Sequence, residues 1–218
     1  MALFLDSASA DDARKAATLG FVAGITTNPT LVAATGRAPG DVIAELCDVH
    51  PGLVFYQPVA PTVAEAEAEV RRISGLRPGR VGIKLPSTPA HFVLGHRLAQ
   101  EGFIVGMTAI FSPAQAYLAY QVGARYVLPY VNRSTRLLGD GPGLVRAMRA
   151  VLEACGGGVE ILAASIKTRD EAVETLLAGA HSLTIPLALI EALGQHEHSD
   201  GAIADFAASV RGTPAATP

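Results

Sequence analysis

The sequence predicts an α/β protein built as one (β/α)8 barrel with an extra C-terminal helix. Three observations lead there. Eight short apolar runs alternate with segments of helical periodicity along 218 residues, the pattern of parallel strands joined by right-handed crossovers. That length accommodates eight such units in a single domain. No Gly-rich dinucleotide or P-loop motif follows any run, which counts against an open sheet built around a nucleotide. Periodicity alone leaves an open doubly wound sheet as the alternative. The expected domain covers residues 1–212, with a disordered tail at 213–218.

The elements follow from local punctuation. Leu3 to Asp6 reads as the first strand, with a helix from Asp11 to Leu19 ended by Gly20. Val22 to Thr27 is the second, and Asn28-Pro29 opens a helix that Gly36 interrupts; another helix covers Asp41 to Val49. Leu53 to Tyr56 is the third strand, followed by a helix from Val63 to Ile73 that Thr62 can cap. Val81 to Pro86 is the fourth, and its helix runs from His91 to Gln100. Phe103 to Ile110 is the fifth, after which Ser112-Pro113 supplies a cap and a first-turn proline. Arg125 to Val131 is the sixth, with a Gly- and Asp-rich loop leading to a helix from Leu144 to Cys155. Val159 to Ala164 and His181 to Ile185 complete the strands. Helices follow at Thr168 to Leu177, after Pro186, and at Ala202 to Val210.

Composition narrows the function classes. Half the residues are apolar and 17% are charged, as in a globular protein. The net charge of −3 and the absence of a basic block argue against nucleic acid as a partner. The first residues have no basic region before the acids begin, unlike a signal peptide. No apolar run reaches membrane-spanning length. Cys47 and Cys155 lack metal-ligand spacing and read as small hydrophobes in a reducing cytosol, with one disulfide as the alternative. The expectation is a cytoplasmic protein without a membrane partner.

Chemistry is concentrated at the strand ends. Lys84 stands inside the apolar run Val81-Gly82-Ile83-Lys84-Leu85-Pro86. A strand-end lysine ordinarily reaches solvent or pairs with a carboxylate. Against that, only Lys15, Lys84 and Lys167 are lysines among 17 basic residues, so lysine is not the default surface charge here. Burial lowers an ammonium pKa from about 10.4 and leaves neutral amine, the form that attacks a ketone. The other strand ends carry Asp6, Thr26 with Asn28, Gln57, Thr108, Tyr130 with Asn132 and Arg133, and Ser165 with Lys167. Each has a plain structural explanation as a cap, a β-branched strand residue, a core aromatic or a surface cation. In a barrel they converge on one face, the face that carries barrel chemistry.

The strings LFLD, GITTNPT, GIKLP, MTAIFSPAQA, YVLPYVNR and ILAASIKT, in this order from Leu3 to about Val210, resemble the transaldolase and fructose-6-phosphate aldolase family. The resemblance implies a (β/α)8 barrel whose fourth-strand lysine forms a Schiff base, with no metal or organic cofactor. Carried onto this chain, it implies that Lys84 attacks the C2 carbonyl of a ketose phosphate and that Asp6 and Asn28 hold the dihydroxyacetone hydroxyls. Thr26 and Ser165 would shape that pocket. Gln57, Thr108 and Tyr130 would hold a proton-shuttling water. Arg133, with Ser165 and Lys167, would bind the phosphate of an aldehyde or aldose phosphate partner. Transaldolases of the family have glutamate where Gln57 stands and often phenylalanine where Tyr130 stands, so this pair leans toward the aldolase-type site. Phe111 occupies a position where an aldolase of the group can have tyrosine, and Pro58 follows Gln57 directly.

Two alternatives are distinguishable. A deoxyribose-phosphate-type aldolase would use an acetaldehyde-derived imine, and the TTNP and YVNR strings count against it. A non-catalytic sugar-phosphate-binding barrel would have no use for a buried lysine. The resemblance also implies a homo-oligomer, a pentamer or decamer. Ile203, Phe206, Ala207 and Val210 are spaced on one helix face, suited to docking on a neighbour or on the barrel itself. His196 and His198, two residues apart, read as exposed and not as a metal site.

Overall fold

The structure is a computed structural model that describes residues 1–211, with side chains to residue 209. Its strands are β1 (Ala2–Asp6), β2 (Val22–Thr26), β3 (Leu53–Tyr56), β4 (Val81–Pro86), β5 (Val105–Ile110), β6 (Tyr126–Pro129), β7 (Glu160–Ala163) and β8 (Ser182–Ile185). All pair in parallel with their neighbours in sequence, and β8 pairs with β1 to close the barrel. Closure excludes the open doubly wound sheet.

Helices cover the outside. The first five are α1 (Ala10–Leu19), α2 (Pro29–Ala34), α3 (Pro39–Val49), α4 (Val63–Leu76) and α5 (Pro89–Gln100). They are followed by α6 (Pro113–Gln121), α7 (Val131–Leu138), α8 (Gly141–Ala154), α9 (Arg169–Leu177), α10 (Leu187–Leu193) and α11 (Glu197–Arg211). Side-chain caps fix many of the strand-to-helix turns: Ser9 for α1, Asn28 for α2, Thr88 for α5 and Thr168 for α9. Thr62 with Glu65 and Ser112 with Gln115 form reciprocal capping boxes on α4 and α6. These caps satisfy helix N–H groups at the end of the barrel where the strands finish.

Two cores result from the period of two along each strand. One parity points outward, and Leu5, Ile25, Val54, Ile83, Leu85, Met107 and Val127 pack beneath the helices. The other points inward, where Phe4, Phe55, Tyr126, Leu128 and Leu162 form a separate buried cluster. Its rings meet edge to face, Phe4 with Phe55 at 6.1 Å and Phe55 with Tyr126 at 5.2 Å. Rings of this size fit because inward positions on the neighbouring strands are glycines. A Cβ on Gly82 would lie 2.6 Å from the Phe55 ring, and one on Gly24 2.8 Å from Phe4. Two residues further along the same parity come Asp6, Thr26, Gln57, Lys84, Thr108, Tyr130 and Thr184, which form a polar layer above the aromatic floor.

The structure departs from the sequence reading in two elements. Strand β6 ends at Pro129, and Val131 opens a helix where a strand end and loop were expected. Helix α11 begins at Glu197, inside the stretch expected to precede a helix starting at Ala202. On α11 the Ile203 and Phe206 side chains are 65% and 72% exposed, so this face does not dock on its own barrel. The side chain of Val210 and the expected tail at 213–218 lie outside the described residues. No helix among the described residues is long and apolar enough to cross a membrane.

Candidate active site

Lys84 is the centre of the polar layer. Its parity is set by Gly82 and Pro86, so the side chain enters the barrel, and only 3% of the residue is exposed. Nζ donates to the carbonyl of Thr27 at 2.7 Å. That carbonyl is held in turn, because the Thr27 N–H and hydroxyl both bond to the Phe55 carbonyl, at 3.1 and 2.8 Å. Burial is the main influence on the amine and lowers its pKa to about 8, while the Asp6 charge acts in the opposite direction. At that value roughly one molecule in ten carries the neutral amine at pH 7.

Asp6 shares the layer with Lys84. Burial raises its carboxyl above the usual aspartate range, opposed first by the Lys84 charge, then by a Thr26 hydrogen bond and the Lys167 charge. A lowered amine and a raised carboxyl in one enclosed space is an arrangement suited to proton exchange near neutrality. The Thr26 hydroxyl donates to Asp6 Oδ1 at 2.9 Å and lies 2.6 Å from the Thr184 hydroxyl. A hydroxyl has one hydrogen, so the Thr184 hydroxyl is the donor of the second bond while Thr26 serves Asp6.

Across the layer, the Thr108 hydroxyl donates to the Tyr130 hydroxyl at 3.3 Å. Thr108 is aimed by an irregularity in β5, where the register with β6 shifts and Ala109 adopts φ of 57°. A non-glycine residue in the left-handed region is strained, and such strain gathers at functional sites. Gln57 follows the end of β3, next to the Lys84 strand in the barrel, and its Oε1 is buried without a hydrogen-bond partner. A buried amide oxygen of this kind calls for a donor.

The rim residues occupy a different shell. The Arg133 side chain is exposed on the first turn of α7, its guanidinium 4.8 Å from the centre of the Tyr130 ring. Tyr130 also meets Phe111 edge to face at 5.9 Å. Ser165 is the second strained non-glycine residue, with φ of 60°. Its carbonyl accepts the Asn132 N–H at 2.9 Å, which fastens the end of β7 to the start of α7. The Lys167 side chain is exposed, and its charge still reaches Asp6. Asn28 is half-buried and its Oδ1 accepts the Leu31 N–H at 3.0 Å, so capping α2 is one task it performs.

A model of the family described as Transaldolase/Fructose-6-phosphate aldolase matches residues 3–213. The chain belongs to this family. It is 37% identical over 213 residues to a probable transaldolase of Caulobacter sp., covering 98% of each chain. A probable transaldolase of Symbiobacterium thermophilum is 36% identical over 206 residues, covering 94% of this chain and 95% of the relative. Probable transaldolase 1 of Listeria monocytogenes is 35% identical over 208 residues, covering 95% and 97%.

In this transaldolase-family barrel, the sequence-predicted residues divide into two groups. Lys84, Asp6, Thr26, Gln57, Thr108 and Tyr130 line the interior layer; Asn28, Arg133, Ser165 and Lys167 stand around its rim. Thr184 and the Thr27 carbonyl complete the layer and were missed. Thr184 shares the inward parity of Ser182, which was the available signal. Among the described residues no group of three or more His, Cys, Asp or Glu side chains could hold a metal ion. A cleft of about 360 Å³ walled by Arg71, Pro78, Phe103 and Ile104 lies at the opposite end of the strands, the end that serves stability in barrels.

Proposed function

We propose that this chain is a lysine Schiff-base enzyme that cleaves a ketose phosphate and releases or transfers its dihydroxyacetone unit. The single observation that supports it most is Lys84: an amine almost fully removed from solvent, with a pKa lowered to about 8, beside a carboxyl whose pKa is raised. Neutral Nζ adds to the C2 carbonyl, and proton transfers then expel water to leave an iminium. Removal of the C4 hydroxyl proton lets the C3–C4 bonding electrons flow to the iminium nitrogen, giving an enamine and a free aldehyde. Asp6 moves protons at this stage, and Asp6 with Asn28 holds the dihydroxyacetone hydroxyls. Thr26 and Ser165 shape the pocket around them.

The enamine has two fates. Attack on an acceptor aldehyde, commonly an aldose phosphate, forms the new C–C bond and restores an iminium, and its hydrolysis by water frees the product ketose and Lys84 to complete transfer. Protonation and hydrolysis release dihydroxyacetone. Gln57, Thr108 and Tyr130 hold the water that serves protonation and hydrolysis, and the unpartnered Gln57 Oε1 is the acceptor for one of its hydrogens. An amide cannot exchange a proton as a carboxyl does, so Gln57 with Tyr130 favours release. Arg133, with Ser165 and Lys167, meets the phosphate at the rim, where a guanidinium forms paired charge-assisted bonds.

The exposed apolar face of α11 supports a homo-oligomer, a pentamer or decamer, with Ile203 and Phe206 covered by a neighbour. Light scattering of the purified chain would reject this if it gave a monomer mass. The setting we assign is the cytoplasm, consistent with Cys47 and Cys155 being unpaired.

The deciding experiment is borohydride reduction in the presence of dihydroxyacetone or fructose 6-phosphate. A covalent mass increase on Lys84 is expected. Binding without any trapped adduct would instead indicate a non-catalytic sugar-phosphate barrel, and an adduct with acetaldehyde alone would indicate the deoxyribose-phosphate type.

A further inference from the structure

We propose that Glu69, on the outer side of the barrel wall, is the positioning residue for Gln57. The proposal rests on the reading of Lys84 and Gln57 given above and extends it to a residue that touches no substrate.

The geometry begins at the end of β3. Tyr56 has outward parity, so its ring passes between the strands and α4, and its hydroxyl donates to Glu69 Oε1. The other oxygen, Oε2, accepts the backbone N–H groups of Val59 at 3.2 Å and Ala60 at 3.1 Å. Between Gln57 and Thr62 the chain reads Pro58-Val59-Ala60-Pro61, and prolines carry no N–H. Val59 and Ala60 therefore hold all the backbone donors of that stretch, and one carboxylate oxygen takes both. The next donor, Thr62 N–H, goes to Glu65 of the same helix at 3.2 Å.

Gln57 lies between these two attachments, with Tyr56 before it and Val59 after it. Its own Oε1 is buried and makes no protein hydrogen bond, so no such bond anchors the amide oxygen. Its place depends on the backbone, and Glu69 ties down both flanks, through the Tyr56 side-chain hydroxyl before it and the Val59 and Ala60 N–H groups after it. Burial and the Glu69 charge both raise the Tyr56 pKa, so the phenol stays protonated and remains a donor. A water-orienting group displaced by about 1 Å can cost on the order of 100-fold in rate.

The test uses the full-length protein and four variants: Glu69→Ala, Glu69→Gln, Gln57→Ala and the Glu69→Ala/Gln57→Ala pair. Glutamine can accept both N–H groups with its carbonyl and donate to the Tyr56 oxygen, so Glu69→Gln keeps the attachments. Expected is a fall in kcat of roughly 10- to 100-fold for Glu69→Ala with KM changed by less than about threefold, and recovery of most of that loss in Glu69→Gln. In the Gln57→Ala background, Glu69→Ala should cost less than about twofold further, because the two act through one group. Full additivity, or equal loss in Glu69→Ala and Glu69→Gln, would overturn the proposal. The Gln57 side-chain amide resonance supplies a readout that needs no turnover. It should move in Glu69→Ala and stay in Glu69→Gln, and an unmoved resonance in Glu69→Ala rejects the positioning role. Loss of the Lys84 adduct in the wild type would reject the Schiff-base reading instead, so the two failures are told apart. If Glu69→Ala does not fold, Tyr56→Phe removes one attachment only, and its expected smaller loss, absent in the Gln57→Ala background, carries the same decision.

Discussion

Replacing Lys84 by methionine should change the protein's stability by an amount that depends on pH. The wild-type amine is pushed from 10.5 to about 8 by burial. The folded-state value lies below the unfolded one, so the unfolded chain binds more protons between those limits and wild-type stability rises with pH across them. Below about pH 8 the wild type carries the whole penalty, about 3 kcal/mol at 1.36 kcal/mol per pH unit. Methionine has a similar volume and no charge to bury. It leaves the Thr27 carbonyl without its partner, which costs about 1–3 kcal/mol and does not vary with pH. The absolute difference at pH 7 therefore mixes two effects, whereas its slope reports one. Urea unfolding of both proteins, at one fixed concentration, should show the advantage of Lys84→Met falling by about 3 kcal/mol between pH 8 and 10.5. A difference that stays flat would show that the amine is charged in the folded protein, and the argument from burial to nucleophile would fail.

Three other outcomes follow from the same geometry. Gln57→Glu should raise transfer to an aldehyde phosphate relative to release of dihydroxyacetone, read from product ratios with and without acceptor; an unchanged ratio rejects the role given to the amide. Gly82→Ala should destabilise the barrel by roughly 1–3 kcal/mol through overpacking against Phe55, and a Phe55→Leu background should relieve most of that in thermal unfolding. Thr184→Val should raise the Asp6 pKa further, since a weaker Thr26 bond leaves its carboxylate less stabilised, read from the NMR titration of that carboxyl; Thr184→Ser should restore it, and identical titrations in all three proteins would show the hydroxyl to be structural only.

Much of the fold was legible because the chain marks its turns with residues whose physics is local. Ser9, Thr62, Thr88, Ser112 and Thr168 announce helix starts, and glycine or proline bounds most of the strands. Helix α7 was not legible for the opposite reason. It begins directly at the end of β6, and Tyr130 supplies no side-chain cap. The first free N–H groups, of Val131 and Asn132, are taken by the carbonyls of Ala164 and Ser165 at 2.9 Å each. A helix whose start is satisfied by a distant strand leaves no signature in its own residues. The site divides along the same line. Period-two parity brought Asp6, Lys84 and Thr108 to one layer, because each follows an inward residue two positions earlier. Thr184 was lost because a threonine in a strand is ordinary until its hydroxyl is seen 2.6 Å from Thr26. The pinning of the Gln57 segment by Glu69 depends on a helix–strand contact that no short string contains.

The aromatic plug of Phe4, Phe55 and Tyr126 fills the barrel interior one layer below Lys84 and closes that side of the polar layer. On the proposed mechanism, a substrate reaches Lys84 from the rim side of that layer, and an enamine on Lys84 would stay there while the first aldehyde departs. If the second aldehyde enters from the same side, donor and acceptor would occupy the place in turn. Transfer would then give parallel double-reciprocal lines, with inhibition by excess acceptor crowding the free enzyme.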